Sequence, residues 1–201
     1  MRLPIILIDA GHGLETPVKR SPEGLLREYA WAREIAGRLV EAFRAAGFDS
    51  FAVVPEESDI PLAKRAKRVN AYCERYGKEN IVLLSIHLNA SGNTLEWRGA
   101  HGWSCYTSKG ETGSDRLAKC LYAAAAECMP GKKLRKYNGD KDPDFEESFF
   151  ILNRTQCVAV LSENFFQDNR NDVEYVLSEE GKAAIVETHL RGTLQFIKEV
   201  A

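Results

Sequence analysis

The stretch IILIDAGHG, residues 5–13, is the clearest indication of the fold class, because it joins a buried strand to a turn that holds a histidine. Four consecutive aliphatic residues, 5–8, are typical of a strand covered on both faces in a parallel sheet. The aliphatic run stops at Asp9, and His12 then lies between two glycines. Ligand sites in open α/β sheets form at the carboxyl ends of the strands. The stretch therefore predicts a parallel sheet with His12 at its ligand-binding edge.

The rest of the chain alternates between apolar runs typical of strands and amphipathic runs typical of helices. Further strands are predicted at residues 48–54, 81–86, 102–106, 149–152 and 158–161, and helices at residues 25–46, 62–76, 114–128 and 181–199. Buried strands separated by helices indicate a mostly parallel, twisted sheet of about six strands, with helices on both faces. The predicted fold class is α/β.

Length and composition exclude several classes of protein. A chain of 201 residues with 44% hydrophobic content suits one folded domain, which we expect to span residues 1–201. The net charge of -2 does not favour a nucleic-acid partner, and no apolar run approaches the ~20 residues of a membrane span. No secretory signal is visible, and five cysteines without a C-x-x-C pair favour a reducing compartment. We therefore expect synthesis in the cytoplasm and no membrane insertion.

Three residues that can carry chemistry follow predicted strands. His12 follows the strand 5–8, His87 ends the strand 81–86, and Glu163 follows the strand 158–161. Each also has a structural interpretation. The histidines could simply be hydrogen-bonded, and Glu163 could be a solvated loop carboxylate. Convergence on one edge of the sheet is what favours a site.

Helical periodicity identifies Glu28 as a fourth candidate site residue. Steps of 3.6 residues from Glu28 reach the apolar stripe of the helix 25–46, which aims its carboxylate at the core. A buried carboxylate is costly unless it is paired or binds a metal. Two histidines and one carboxylate form a known catalytic zinc set. Glu28 could instead pair with a basic residue or stabilise the start of its helix.

Other polar features have simpler interpretations. We expect His101 to lie in a loop and His189 to be a packing residue of the last helix. The basic residues 132, 133, 135 and 136 are most simply a solvated loop, with contact to substrate carboxylates as the alternative. The long segment 131–147 is typical of a lid or a binding loop.

Several motifs, in order, resemble those of the zinc-dependent N-acetylmuramoyl-L-alanine amidases of the amidase_3 type, found in autolysins and phage endolysins. These motifs are ILIDAGHG around His12, REYAWAREIAGRL with Glu28, DIPLAKRAKRVN with Arg65 and Asn70, LLSIHLNA with His87 and Asn89, and VAVLSENFFQDNRND with Glu163. The resemblance covers nearly the whole chain. The stretch after His12, Asn164, and the segments 71–80 and 131–147 depart from the family pattern.

The resemblance implies that His12, Glu28 and His87 hold one Zn²⁺ and that Glu163 is the catalytic base. It also implies that Asn89 assists the oxyanion, and metal-bound histidines suggest Asp9 as a partner that orients His12. The expected substrate is peptidoglycan, cut between N-acetylmuramic acid and L-alanine by a single catalytic domain without a separate wall-binding domain. We expect a monomer that acts on the cell wall after release, as a phage or prophage lysin does.

Two alternatives use the same residues. One is a different zinc peptidase, such as a carboxypeptidase acting on cell-wall peptides, and the other is a peptidoglycan-binding module without catalysis. A nucleotide-binding protein is disfavoured, because Thr16 occupies the third glycine position of G-x-G-x-x-G.

Overall fold

The computed structural model describes residues 3–137, 139 and 142–200, and these form six strands and six helices. The strands are β1 (Ile5–Ala10), β2 (Ser50–Ala52), β3 (Ile81–Asn89), β4 (Ser104–Thr107), β5 (Phe145–Glu146) and β6 (Val158–Phe166). The helices are α1 (Glu28–Ala45), α2 (Leu62–Tyr76), α3 (Gly113–Cys128), α4 (Phe150–Arg154), α5 (Arg170–Leu177) and α6 (Glu179–Val200).

The six strands make one sheet in the order β2-β1-β3-β6-β4-β5. The first four strands in this order are parallel, β4 runs antiparallel to β6, and β5 is parallel to β4. The predicted mostly parallel sheet of about six strands is therefore confirmed. In the register, Asp9 lies opposite Ser85 and His87 lies opposite Glu163. The carboxyl ends of β1, β3 and β6 thus meet at one edge, which we call the catalytic edge.

Alternating strand residues feed two cores, one on each face of the sheet. Ile6 and Ile8 belong to the larger core, which includes buried residues of α1, α3 and α6. Leu7 and Leu83 belong to the smaller core, which includes buried residues of α2 and α4. Because successive side chains of a strand point to opposite faces, an unbroken apolar run can serve both cores. Helices on both faces are confirmed.

One predicted strand is wrong. Residues 149–152 form the start of α4, where the amides of Leu152 and Asn153 donate to the Phe149 carbonyl at 3.1 and 3.0 Å. Successive residues Ile151 and Leu152 are both buried, whereas Phe150 is 38% exposed. Short apolar runs cannot be assigned to helix or strand by periodicity alone. The strand found in place of the predicted one is β5, a few residues earlier in the chain. Helix α5 was not predicted either.

The segment 131–147 is attached to the sheet at both ends. Leu134 forms a parallel bridge with Trp103, and β5 pairs with β4. Residues 138, 140 and 141 of this predicted loop lie outside the described part of the chain. The segment therefore extends the sheet beyond β4.

Asp144 is buried just before β5. Its Oδ2 accepts a 2.6 Å hydrogen bond from the Thr107 hydroxyl, whereas its Oδ1 has no partner among the described residues. Burial raises the pKa of Asp144 to about 6, and the nearby Asp115 carboxylate acts in the same direction. Asp144 therefore binds its proton more tightly in the folded chain than in the unfolded chain.

All five cysteines are free thiols, in agreement with a fold that does not depend on disulfides. Across the described ranges, no helix combines the length and the apolar character that crossing a membrane requires.

Candidate metal centre

Three side chains from separate parts of the chain converge at the catalytic edge. His12 lies in the loop after β1, Glu28 is the first residue of α1, and His87 lies near the end of β3. Glu28 Oε1 is 3.4 Å from His12 Nε2 and 3.3 Å from His87 Nδ1. Each residue offers one ligand atom, and these three atoms lie within 4.8 Å of one another. The two imidazole rings meet edge to face, with centroids 5.1 Å apart.

This donor set fits a zinc ion. Tetrahedral zinc with bonds of about 2.0–2.1 Å places neighbouring ligand atoms about 3.3 Å apart. The two measured histidine–carboxylate separations, 3.4 and 3.3 Å, match that value. Two imidazoles and one carboxylate also leave a fourth position open, as catalytic zinc sites do.

Glu28 is fully buried, as its place on the apolar stripe of α1 predicts. Its Oε1 accepts a 2.9 Å hydrogen bond from the Leu88 amide, and its Oε2 accepts a 3.2 Å bond from Gln167 Nε2. Lys19 Nζ lies 3.9 Å from Oε2. These contacts fix the carboxylate in one orientation and partly offset the cost of burying its charge.

Burial and charge act in opposite directions on the two histidines. Burial lowers the pKa of His12 to about 4, so His12 is neutral at pH 7 and able to bind a metal. Burial also opposes the charged form of His87, but the hydrogen bond with Glu28 and its charge outweigh burial and raise the pKa of His87. Burial likewise opposes ionisation of Glu28, yet the hydrogen bond from His87 and the charge of His12 lower its pKa. Because a metal binds the neutral imidazole, the raised pKa of His87 means that protons compete with the metal at a higher pH than at an ordinary histidine.

Asp9 supports the site through Arg65. Its Oδ1 accepts a 3.1 Å bond from Arg65 Nη1, and its Oδ2 accepts a 2.7 Å bond from the Ser85 hydroxyl. Arg65 in turn donates to the carbonyls of Ala10 at 2.5 Å and His12 at 2.9 Å. The hydrogen bonds described for Asp9 go to Arg65 and Ser85, so a direct contact with the His12 imidazole stays a prediction. Asp9 acts on the His12 backbone through Arg65. It also supplies the negative charge that this buried arginine needs.

The backbone around His12 requires its two glycines. His12 itself has a φ of 56°, in the left-handed region. A Cβ on Gly11 would lie 2.6 Å from the His87 ring, and a Cβ on Gly13 would lie 2.1 Å from the Asp59 amide nitrogen. The backbone therefore approaches the His87 ring closely at Gly11 and packs closely against the Asp59 backbone at Gly13.

Glu163 lies on β6 opposite His87 and opposite Ser104 of β4. Its Oε2 is buried and has no hydrogen-bond partner within the described residues. Burial, with the charge of Glu28, raises the pKa of Glu163 to about 7, although His87 and Lys19 oppose the shift. A carboxylate with one free oxygen and a pKa near neutrality is suited to move a proton at this edge.

The remaining residues named in the sequence have mixed placements. Asn89 lies at the catalytic edge, where its Oδ1 accepts a 2.8 Å bond from the Ala90 amide, so its assistance to an oxyanion stays a prediction. His101 is exposed, with Nδ1 3.1 Å from the Gly99 carbonyl. His189 is buried between the Ile185 carbonyl and the Ser162 hydroxyl, which agrees with a packing role.

Sequence reasoning missed three residues that support the centre. Lys19 and Gln167 contact Glu28, and Arg33 donates to the His12 carbonyl at 3.0 Å. Gln167 follows the last residue of β6, so its place near the strand end was a usable signal. No sequence pattern pointed to Lys19. It lies in a loop and is brought to the site by the 3.0 Å hydrogen bond that its carbonyl accepts from the Glu28 amide.

Comparison with known proteins gives a family and a fold. A family model described as N-acetylmuramoyl-L-alanine amidase, Amidase_3, matches residues 6–195. The catalytic domain of the amidase CwlV from Bacillus (Paenibacillus) polymyxa var. colistinus is similar, with a TM-score of 0.80 at 17% identity over 98% of this chain and 99% of that chain. An amidase from Clostridium difficile 630 gives 0.77 at 23% identity over 99% of both chains.

An endolysin structure is also similar. The catalytic domain of the CD27L endolysin, which targets Clostridia difficile, has a TM-score of 0.64 at 23% identity over 93% of this chain and 97% of that chain. At these identities the likenesses show the fold. None of the curated proteins compared with the chain matches it.

Proposed function

The chain belongs to the Amidase_3 family of N-acetylmuramoyl-L-alanine amidases, and on that premise we propose that it is a zinc enzyme with Glu163 as its base. As a member of this family it is a hydrolase that acts on peptidoglycan, at the amide between N-acetylmuramic acid and L-alanine. The observation that carries the zinc proposal is the cluster of one carboxylate and two imidazole donors, all within 4.8 Å of one another. Their spacing matches the edges of a zinc tetrahedron.

His12, Glu28 and His87 would hold the ion, which supplies a water of lowered pKa and polarises the scissile carbonyl. Glu163 takes a proton from the attacking water and delivers it to the leaving amine of L-alanine. The unpartnered Oε2 of Glu163 supports this role, because no described hydrogen bond has to break before the carboxylate can accept that proton. Arg65 and the glycines beside His12 keep the ligands in place.

The test is the variant Glu163→Gln, which removes the base but keeps the size of the side chain. We expect one zinc per chain and a kcat on muropeptides that falls by about 10²–10⁴-fold, the range of general acid–base catalysis. Mass spectrometry of wild-type products should show a free L-alanine amine and an intact lactyl group on the sugar. A matched control is Glu41→Gln on the exposed side of α1, which should leave activity unchanged.

A second variant tests the metal set. His12→Ala should lose bound zinc as well as activity, whereas Glu163→Gln loses activity alone. Full activity in Glu163→Gln would overturn the assignment of the base. Unchanged zinc content in His12→Ala would overturn the ligand set.

We also propose that the protein is a monomer, made in the cytoplasm and acting on the cell wall after release. The five free cysteines support synthesis in a reducing compartment. Light scattering of the purified chain tests the oligomeric state. Fractionation of cells that express a labelled chain tests the place of action.

A further inference from the structure

The basic segment, residues 132–136 with sequence KKLRK, is held against the edge of the sheet. The Trp103 amide donates to the Lys133 carbonyl at 2.9 Å, and the Arg135 amide donates to the Trp103 carbonyl at 2.8 Å. The Arg135 carbonyl accepts a 2.6 Å bond from the Tyr122 hydroxyl. Both backbone polar groups of Arg135 are therefore engaged, which fixes where its side chain starts.

The strand register places Arg135 in line with the proposed base. Ser104 lies opposite Glu163, and Trp103 lies opposite Leu134 in the parallel bridge. One step further along that bridge, Arg135 lies opposite Ser104. Residues opposite each other across a sheet share a face, and adjacent strands are about 4.8 Å apart. The backbones of Arg135 and Glu163 are thus about 10 Å apart, on one face of the sheet.

Side-chain contacts agree with this register. The Arg135 guanidinium lies over the Phe166 ring, 4.8 Å from its centroid, and Phe166 pairs with Asn89 at the catalytic edge. Burial raises the pKa of Tyr106, the charge of Glu163 adds to that shift, and the charge of Arg135 opposes it. The charges of Glu163 and Arg135 therefore both act on the Tyr106 phenol.

Among the described residues, the Arg135 guanidinium has no ion-pair partner. Within the described part of the chain, Arg135 makes no ion pair with a carboxylate and no side-chain hydrogen bond, and the same is true of Lys133 and Lys136. A cavity of about 620 Å³ lies beside these residues, with His101 and Phe145 also in its wall. This basic cavity includes Arg135 in its wall, and no carboxylate is among its described lining residues.

We propose that Arg135 binds the carboxylate of the second residue of the peptidoglycan stem peptide, on the leaving-group side of the scissile amide. This inference rests on the proposed function. In peptidoglycan that residue is a glutamate joined through its side chain, so its α-carboxylate is free or is converted to a carboxamide. Arg135 is thus a specificity residue that distinguishes acidic from amidated stem peptides.

The distance and the chemistry both fit this ligand. The backbones of Glu163 and Arg135 are about 10 Å apart, so their side chains can face the two ends of a segment of two extended residues, which spans at most about 7 Å. A guanidinium binds a carboxylate through two parallel hydrogen bonds, which a carboxamide cannot match because half of it is a donor. Stacking on Phe166 holds the guanidinium plane and lowers the cost of ordering it.

The experiment uses two disaccharide-peptide muropeptides that differ only in this group, α-carboxylate or α-carboxamide. For the wild-type zinc enzyme we expect kcat/KM to be about tenfold higher on the acid form, mainly through KM. Arg135→Gln should remove that preference by lowering only the rate on the acid form, and Arg135→Lys should restore part of it. Calorimetric binding of both muropeptides to zinc-loaded Glu163→Gln, with and without Arg135→Gln, gives a readout independent of turnover.

The matched control is Lys119→Gln, which removes an exposed charge from α3 and should leave the acid preference unchanged. Equal rates and equal binding for the two muropeptides in the wild type would overturn the proposal while leaving the amidase function intact. Absence of turnover with measurable, Arg135-dependent binding of the acid form would instead refute the proposed function alone. Loss of binding to polyglycerol phosphate in Arg135→Gln, with the muropeptide ratio unchanged, would assign the cavity to a phosphate polymer and overturn the proposal.

Discussion

Replacing Arg65 by methionine should destabilise the fold and weaken the metal site together. Arg65 and Asp9 are 2% and 1% exposed, and their ion pair is 3.1 Å long. Removing one partner of a buried ion pair costs about 3–5 kcal/mol, because the other charge stays buried. The Ala10 carbonyl also loses its guanidinium donor, and the His12 carbonyl keeps only the one from Arg33. We therefore expect Arg65→Met to lower the free energy of unfolding by about 3–5 kcal/mol.

Guanidinium chloride unfolding at pH 7 measures this loss, with a chelator present so that metal binding does not add to stability. The matched control is Arg68→Met, on the same helix, because the ion pair of Arg68 with Glu56 is half-exposed and should be worth less than about 1 kcal/mol. Adding Asp9→Asn to Arg65→Met should recover part of the loss, since the unpaired charge is then gone. A loss below about 1 kcal/mol, or one equal to that of Arg68→Met, would refute the reasoning.

Three further predictions concern pH, a buried acid and a glycine. Burial raises the pKa of Glu163 to about 7, and a bound cation would lower it. We therefore expect kcat/KM to fall about tenfold per pH unit below a midpoint at or under pH 7. A rate that is unchanged from pH 4 to pH 7 would contradict this. For Asp144 the folded pKa of about 6 exceeds the ordinary value of 3.8, so its contribution to stability is full below pH 3.8 and is lost as pH rises through 6. Relative to wild type, Asp144→Asn should therefore gain up to about 3 kcal/mol of unfolding free energy between pH 4 and pH 8, measured by denaturant titration. Gly11→Ala would place a Cβ 2.6 Å from the His87 ring and should weaken zinc binding about tenfold or more in a chelator competition, whereas Gly37→Ala, with open space around it, should not.

The parallel half of the fold could be predicted because each of its strands is a long apolar run. The run 5–8 must satisfy two cores at once, and only a strand covered on both faces does so. The same logic predicted the buried position of Glu28, since the periodicity of α1 leaves its first residue on the apolar stripe.

What could not be predicted depends on contacts between distant segments. The turn at residues 149–152 is helical because neighbouring side chains pack into one core, which a four-residue pattern cannot reveal. The contact of Lys19 with Glu28 depends on a loop whose path is set by backbone bonds to α1. The place of Asp9 depends on the arginine brought to it by α2.

The antiparallel direction of β4 separates the positioning of the catalytic side chains from contact with the substrate. In parallel sheets the same loops usually perform both tasks. Since β4 runs against β6, the chain reaches the catalytic edge where it enters β4, next to the segment that follows α3. His12, His87 and Glu163 are positioned by β1, β3 and β6, whose mutual register does not involve that region. We therefore expect substitutions in residues 90–103 and 131–147 to change substrate preference more than they change the register that positions His12, His87 and Glu163.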